Sequence, residues 1–182
     1  MGLLKEEYLP NYTYSDYIHW EGDWELIEGV AYAMAPSPIL THQTISSLLI
    51  QTIGESLKSC KSCIVVSEMD YKLSDNTVLR PDIALVCGQK EGAYIKKSPE
   101  LIVEIVSKSS ASRDEKIKFS LYQAEKVHYY ILLYPEDLKA KIYELQNSRY
   151  EKVTDLLEGI FEFKTLECDA KIDFDFVFER FR

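Results

Sequence analysis

"LIVEIVSKSS" (residues 101–110) runs on through "ASRDEKIKFSLYQAEK" (111–126) to "VHYYILLYP" (127–135), and this stretch decides the fold. Leu101, Ile102, Val103, Ile105 and Val106 make an apolar run of strand length, and such runs belong near a sheet centre with both faces covered. Residues 110–126 read as a helix. Ile117 and Leu121 point to the core, with Ala124 or Phe119. Residues 127–135 read as a second buried strand. Glu104 is the anomaly in this unit. A carboxylate flanked by Leu, Ile and Val is at least half-buried, and a buried charge without a partner is expensive. The first question about function is what Glu104 is paired with.

The flanking sequence supplies the other elements. Residues 13–20 open with a Thr or Ser cap and read as a short helix. Residues 23–36 read as two short strands around a Glu28-Gly29 turn, ended by Pro36 and Pro38. Residues 39–59 form the first long helix, with Ile45, Leu48, Leu49, Ile53 and Leu57 spaced by three and four. Strands follow at 63–68, 69–74 and 79–87, the last two joined by Asp75-Asn76. Residues 91–99 are a loop. After residue 135, strands at 140–146, 149–155 and 159–166 continue antiparallel. The aromatic tail 172–181 docks on the body or serves a dimer interface. No internal repeat is present. The expected class is α/β (α+β): one domain over residues 1–182, a mixed sheet flanked by helices.

The chain has 182 residues, enough for one domain with a proper core. Its net charge of −9 argues against a broad electrostatic grip on nucleic acid, which needs Lys and Arg on phosphates. A local basic patch, Lys108, Arg113, Lys116 and Lys118, remains available for it. No apolar run reaches the roughly 18 residues of a membrane span. The N-terminus lacks a secretory apolar stretch, and Glu6 breaks a myristoylation pattern. A soluble, cytoplasmic protein without membrane contact is expected. Cys60 and Cys63 form a CxxC, but Cys87 and Cys168 stand alone and the three histidines are scattered. The pair is read as two unrelated reduced thiols rather than a metal or redox site.

Asp82, after Pro81 at the head of the run "RPDIALV", is the second carboxylate beside apolar strand residues. If its strand neighbours that of Glu104, the two meet and repel. A divalent cation relieves that repulsion, and carboxylates with backbone oxygens suit Mg2+ or Mn2+. Asp114, Lys118 and Tyr122 recur at four on the following helix and share one face. From there Lys118 can orient a metal-bound water and neutralise charge in a phosphoryl transition state. Plainer readings stand beside these. Asp82 can cap a strand, Glu104 can pair with Arg80 or a lysine, and Lys118 can lie on a solvated face. His42, Arg113 and Ser107 are kept as neighbouring groups.

"RPDIALV" with "PELIVEIVSKSSASRDEKIKFSLYQAEKVHYYILLYP", and "WELIEGVAYAMAPSPILTHQTISSLL" upstream, resemble the Uma-type (Uma-two) endonuclease family, abundant in cyanobacteria. That family belongs to the PD-(D/E)xK, restriction-endonuclease-like superfamily. The resemblance covers most of residues 13–146, and 147–182 add C-terminal strands and the tail. It implies a restriction-endonuclease-like fold and metal-dependent hydrolysis of DNA phosphodiesters. Pro81-Asp82 matches the PD element and Glu104 the acidic member of (D/E)xK. Position 106, where the superfamily's lysine falls, is Val106. In the Uma-type branch the lysine lies on the next helix, and Lys118 matches that spacing, with Lys116 and Lys108 as fallbacks. The resemblance implies that Asp82, Glu104 and the Ile105 carbonyl hold Mg2+ or Mn2+, and that Glu28 completes the shell. DNA is the implied partner, and a homodimer is compatible with two cuts. The competing functions are a binding module of this fold without chemistry, and a hydrolase of small phosphodiesters.

Overall fold

The computed structural model describes residues 10–34, 39–164 and 166–182. Pro36 and Pro38, expected to end the first hairpin, lie outside the described residues.

The apolar runs do form the centre of a sheet. β6 (Ile83–Cys87), β7 (Leu101–Ile105) and β8 (Tyr129–Tyr134) sit inside a six-stranded sheet of order β10-β9-β8-β7-β6-β3. Its other members are β3 (Cys63–Ser67), β9 (Lys139–Gln146) and β10 (Arg149–Leu156). β7 and β8 are parallel, and every other neighbouring pair is antiparallel. A parallel pair needs a crossover. The helix between them provides it: a π-helical stretch, Arg113–Lys118, continued by α3 (Phe119–Ala124).

Alternation along β7 divides its side chains between two cores. Leu101, Val103 and Ile105 pack with Ile45, Leu49 and Ile53 of α2 (Leu40–Ser56) and with Phe174 and Phe178 of α4 (Phe174–Phe178). Ile102 packs on the opposite face with Tyr122 and Tyr130. Glu104 has the parity of Ile102 and faces the crossover helix.

A four-stranded sheet of order β2-β1-β5-β4 lies beside the large one, built from β1 (Trp24–Ile27), β2 (Val30–Ala33), β4 (Tyr71–Ser74) and β5 (Thr77–Leu79). Glu28 and Gly29 both take positive φ, 49° and 79°, as a two-residue hairpin turn requires. The tail packs against α2. β11 (Ile160–Glu162) and β12 (Lys171–Asp173) form a small ribbon, and Thr52 Oγ1 accepts the Asp173 N–H at 3.1 Å.

Three expectations need correction. Residues 79–87 are not one strand. The chain leaves the small sheet at Leu79 and enters the large one at Ile83, because Pro81 has no N–H to continue a ladder. Residues 159–166 do not extend the main sheet, since β11 pairs only with β12. The crossover helix does not bury Ile117, which is 37% exposed, but buries Asp114, Lys118 and Tyr122. An apolar helix face laid over Glu104 would leave a buried charge unpaired, so the polar face wins.

Candidate active site

Glu104 is paired with Lys118. The Lys118 Nζ donates to Glu104 Oε1 at 3.0 Å, and the Tyr122 hydroxyl donates to the same oxygen at 2.9 Å. Lys118 Nζ also lies 2.7 Å from Glu25 Oε1 and 3.7 Å from Asp114 Oδ1. All four ionisable side chains are buried. Four-residue spacing puts Asp114, Lys118 and Tyr122 on one line, and the π-helical stretch turns Arg113 inward as well, 3.3 Å from Glu25 Oε2. Such wide turns recur at functional sites.

Asp82 is placed by the switch between sheets. β6 and β7 are antiparallel with Ile83 opposite Val103, so Asp82 falls beside Glu104 at the strand ends. Its Oδ2 accepts the Ile105 N–H at 2.6 Å, and its Oδ1 lies 3.3 Å from His42 Nε2. The same switch lets the Arg80 N–H donate to Glu25 Oε1 at 3.0 Å, which ties β1 to the site. The Arg80 side chain pairs with Asp70 and Asp23, not with Glu104. A cleft of about 650 Å³ opens here, lined by Glu25, His42, Asp82, Glu104, Ile105 and Lys118 among others.

The structure thus brings Asp82, Glu104, Ile105 and Lys118 together. Glu28 is not with them: it is an exposed turn residue whose N–H donates to Thr77 Oγ1 at 3.1 Å. Glu25, three positions earlier, occupies the site. Its signal in the sequence is the one Glu104 carries, an acid inside an apolar strand ("WELI" beside "LIVEIV"). Lys116 is exposed, and Lys108, with an 86% exposed side chain, pairs with Glu136. His42 and Arg113 do enter the site, and Ser107 lines its wall.

Four carboxylates, Glu25, Asp82, Glu104 and Asp114, surround two permanent cations, Lys118 and Arg113. Burial pushes the Glu104 carboxyl well above the usual carboxylate range, with Lys118 pulling the other way. Burial likewise raises Asp114, again against the pull of Lys118. Burial alone would lower Lys118, but Glu104, Glu25 and Asp114 outweigh it and hold the ammonium protonated. Lys118 is therefore a fixed positive charge and not a general base.

The donor set fits a hard divalent cation of the Mg2+ type. All contacts of Glu104 among the described residues run to Oε1, which leaves Oε2 for a cation. Glu25 Oε2 is buried and accepts no hydrogen bond there. Among the described residues, no three Asp, Glu or His ligands of the cleft come within 4.8 Å of one another, so the cage is open. Mg2+ suits such sites, because it binds one or two carboxylates and keeps its remaining positions for water and phosphate.

His42 carries a first prediction. Burial opposes its charge, but the hydrogen bond to Asp82 and the Asp82 charge prevail and raise its pKa above the usual 6.5. A raised folded value means stabilisation that is complete below the unfolded pKa and is lost as pH rises through the folded one. Urea unfolding of wild type and His42→Gln should differ by about 1 kcal/mol at pH 5.5 and by less at pH 8.5. A difference that grows with pH would contradict the pairing.

No curated protein matches the chain. Among solved structures it resembles one described as "a putative nuclease belonging to DUF820", from Anabaena variabilis ATCC 29413. The TM-score is 0.74 at 16% identity, over 92% of this chain and 97% of that one. At that identity the likeness speaks for the fold, the mixed sheet flanked by helices expected above. Residues 12–165 match the family model Uma2, described as "Putative restriction endonuclease". With that much of its length matched, and with Asp82, Glu104 and Lys118 gathered at one cleft, the chain belongs to the Uma2 family.

Proposed function

We propose that the chain is a Mg2+- or Mn2+-dependent DNA endonuclease whose metal is held by Asp82 and Glu104, with the Ile105 carbonyl. The observation that carries the reading is the pair of acids at the ends of adjacent strands, facing a cleft whose lining carboxylates outnumber its lysines and arginines. Glu25 replaces Glu28 as the third acid. Once bound, the metal would polarise the scissile phosphate and lower the pKa of a coordinated water. Lys118 holds Glu25 and Glu104 in place and keeps a positive charge at the cleft floor, where a phosphoryl transition state gathers negative charge. Tyr122 fixes the Glu104 rotamer. Asp82 is oriented by the Ile105 N–H and by His42.

Net charge −9 makes the metal part of substrate binding as well as chemistry, because the basic side chains lining the cleft, Arg80, Lys108, Arg113 and Lys118, are each paired with a carboxylate. One site nicks one strand, and a double-strand break needs two, which a homodimer supplies. The test is incubation of supercoiled plasmid with the protein and Mg2+ or Mn2+, with and without chelator. Nicking that the chelator stops is the expected result. A second reading has its own support: Lys118 is saturated by Glu25 and Glu104, as in a structural ion cluster of a binding module. That reading predicts DNA retention without cleavage at any metal concentration.

Metal binding should also register in stability. Glu104 and Asp114 have raised pKa values, so the folded state keeps protons that the unfolded state releases. Their contribution to stability therefore falls as pH rises above the ordinary carboxylate range. A divalent cation replaces those protons. At a hundredfold excess over Kd, Mn2+ should add about 2.7 kcal/mol, or roughly 5–10 °C in Tm. Differential scanning fluorimetry should show a larger shift at pH 8 than at pH 5, where protons compete. An equal shift at both would place the cation elsewhere.

A further inference from the structure

The cysteines, read from the sequence as unrelated thiols, converge. Cys60 and Cys63 lie at the end of the α2–β3 connection, Cys87 ends β6, and Cys168 lies between β11 and β12. The sulfurs of Cys60 and Cys168 are in bonding contact, as are those of Cys63 and Cys87. The Cys63 and Cys168 sulfurs are 3.0 Å apart, so the two pairs form one cluster. It contains every cysteine of the chain. β6 separates it from the cleft, with Asp82 before its first residue and Cys87 at its last. Five residues of strand put roughly 16 Å between them.

We propose that Cys60, Cys63, Cys87 and Cys168 form a four-thiolate site for Zn2+, which fastens the C-terminal segment to the main sheet. Three observations favour this over two disulfides. First, two separate disulfides need no contact with each other, whereas the sulfurs of a shared metal site must cluster, as the Cys63–Cys168 contact makes these do. Zn–S bonds of about 2.3 Å place ligand sulfurs roughly 3.8 Å apart. Each of Cys60, Cys63 and Cys168 has a potential ligand atom within 4.8 Å of the others, and Cys87 joins them through Cys63, which it meets in a second such group. Second, Cys63 and Cys87 face each other directly in the ladder with Cα atoms 4.0 Å apart, closer than the roughly 4.4–6.8 Å that disulfides usually span. Third, the Ser62 hydroxyl sits 3.3 Å from the sulfur of Cys60, 3.7 Å from that of Cys168 and 3.9 Å from that of Cys63. One hydroxyl within reach of three sulfurs can donate its hydrogen to one thiolate at a time, the kind of polar group expected just outside a thiolate site.

The local backbone supports the geometry. The CxxC loop is closed by the Gly88 N–H donating to the Ser62 carbonyl at 2.9 Å. Gly88 takes φ +69°, so the chain turns sharply after Cys87. Four soft sulfur ligands select Zn2+ over the Mg2+ suited to the cleft's oxygens. The Glu167 carboxylate also reaches Cys63 and Cys87, but it is exposed. Binding replaces each S–H bond by an S–Zn bond and releases the thiol protons to solvent. No electron is transferred and no oxidant is needed.

The test is elemental analysis of the full-length chain, purified with a phosphine reductant and without chelator. About one Zn2+ per chain is expected. Asp82→Asn should keep it, which separates this site from the cleft. Cys87→Ser should lose at least about tenfold in Zn2+ affinity. Should that variant fail to fold, Co2+ exchanged into wild type gives an independent readout, since tetrahedral thiolate coordination has intense visible bands and sulfur-to-metal charge transfer. Metal-free protein carrying four free thiols would overturn the proposal, and so would a second preparation, made without reductant, that is metal-free and lighter by four cysteine hydrogens in non-reducing mass spectrometry, as two disulfides require.

Discussion

Lys118→Met should destabilise the protein by about 3–5 kcal/mol, the usual effect of removing one partner from a buried ion pair. The side chains are similar in length, so little packing is lost and the effect is electrostatic. Without the ammonium, Glu104 keeps, among the described residues, the Tyr122 hydroxyl alone, and Glu25 keeps the Arg80 N–H and Arg113. Glu104 and Asp114 already have raised pKa values, with Lys118 as the chief opposing influence in each case. Its loss raises them further. The deficit should shrink as pH falls and both carboxyls take protons. Glu104→Gln in the Lys118→Met background should recover part of the loss, because it removes the stranded charge. Urea unfolding of the single and double variants at pH 5 and pH 8 measures this. Additive losses, or a single-variant loss under about 1 kcal/mol, would mean that Lys118 does not neutralise this cluster.

Asp82→Asn should lower metal-dependent nicking by about a thousandfold or more, close to 4 kcal/mol of transition-state stabilisation, while the fold survives. The amide keeps an oxygen to accept the Ile105 N–H, so the backbone anchor of residue 82 remains. The negative charge that holds the cation is lost, and so is the charge partner of His42. Plasmid nicking over a range of Mn2+ concentrations distinguishes weaker metal binding, which excess Mn2+ rescues, from a misplaced catalytic group, which it does not. Wild-type rates in Asp82→Asn would remove Asp82 from the metal site and with it the proposed mechanism.

The sequence by itself determined the two central strands around Glu104 and Ile131, the crossover between them and the oddity of an acid inside an apolar run. A continuous apolar run of strand length in "LIVEIV" and "HYYILL", against a period of four in Asp114, Lys118 and Tyr122, is a local property of the chain. So is the oddity of an acid inside an apolar run, because desolvation acts on a residue whatever its distant neighbours are. Glu25 in "WELI" carries the same signal, whereas Glu28 is what the family resemblance implies for that acid.

Only the tertiary structure decided how these pieces meet. Pro81 splits one apparent strand between two sheets, and that switch puts Glu25 beside Lys118. Which face of the crossover helix turns inward depended on what waited beneath it. Apolar periodicity favoured Ile117, and the buried Glu104 favoured Lys118, since leaving a charge unpaired costs more than exposing one isoleucine. The cysteine cluster was the least legible feature. Its members are separated by up to 108 positions, and spacing along a chain carries no information about ligands that the sheet register and a docked tail bring together.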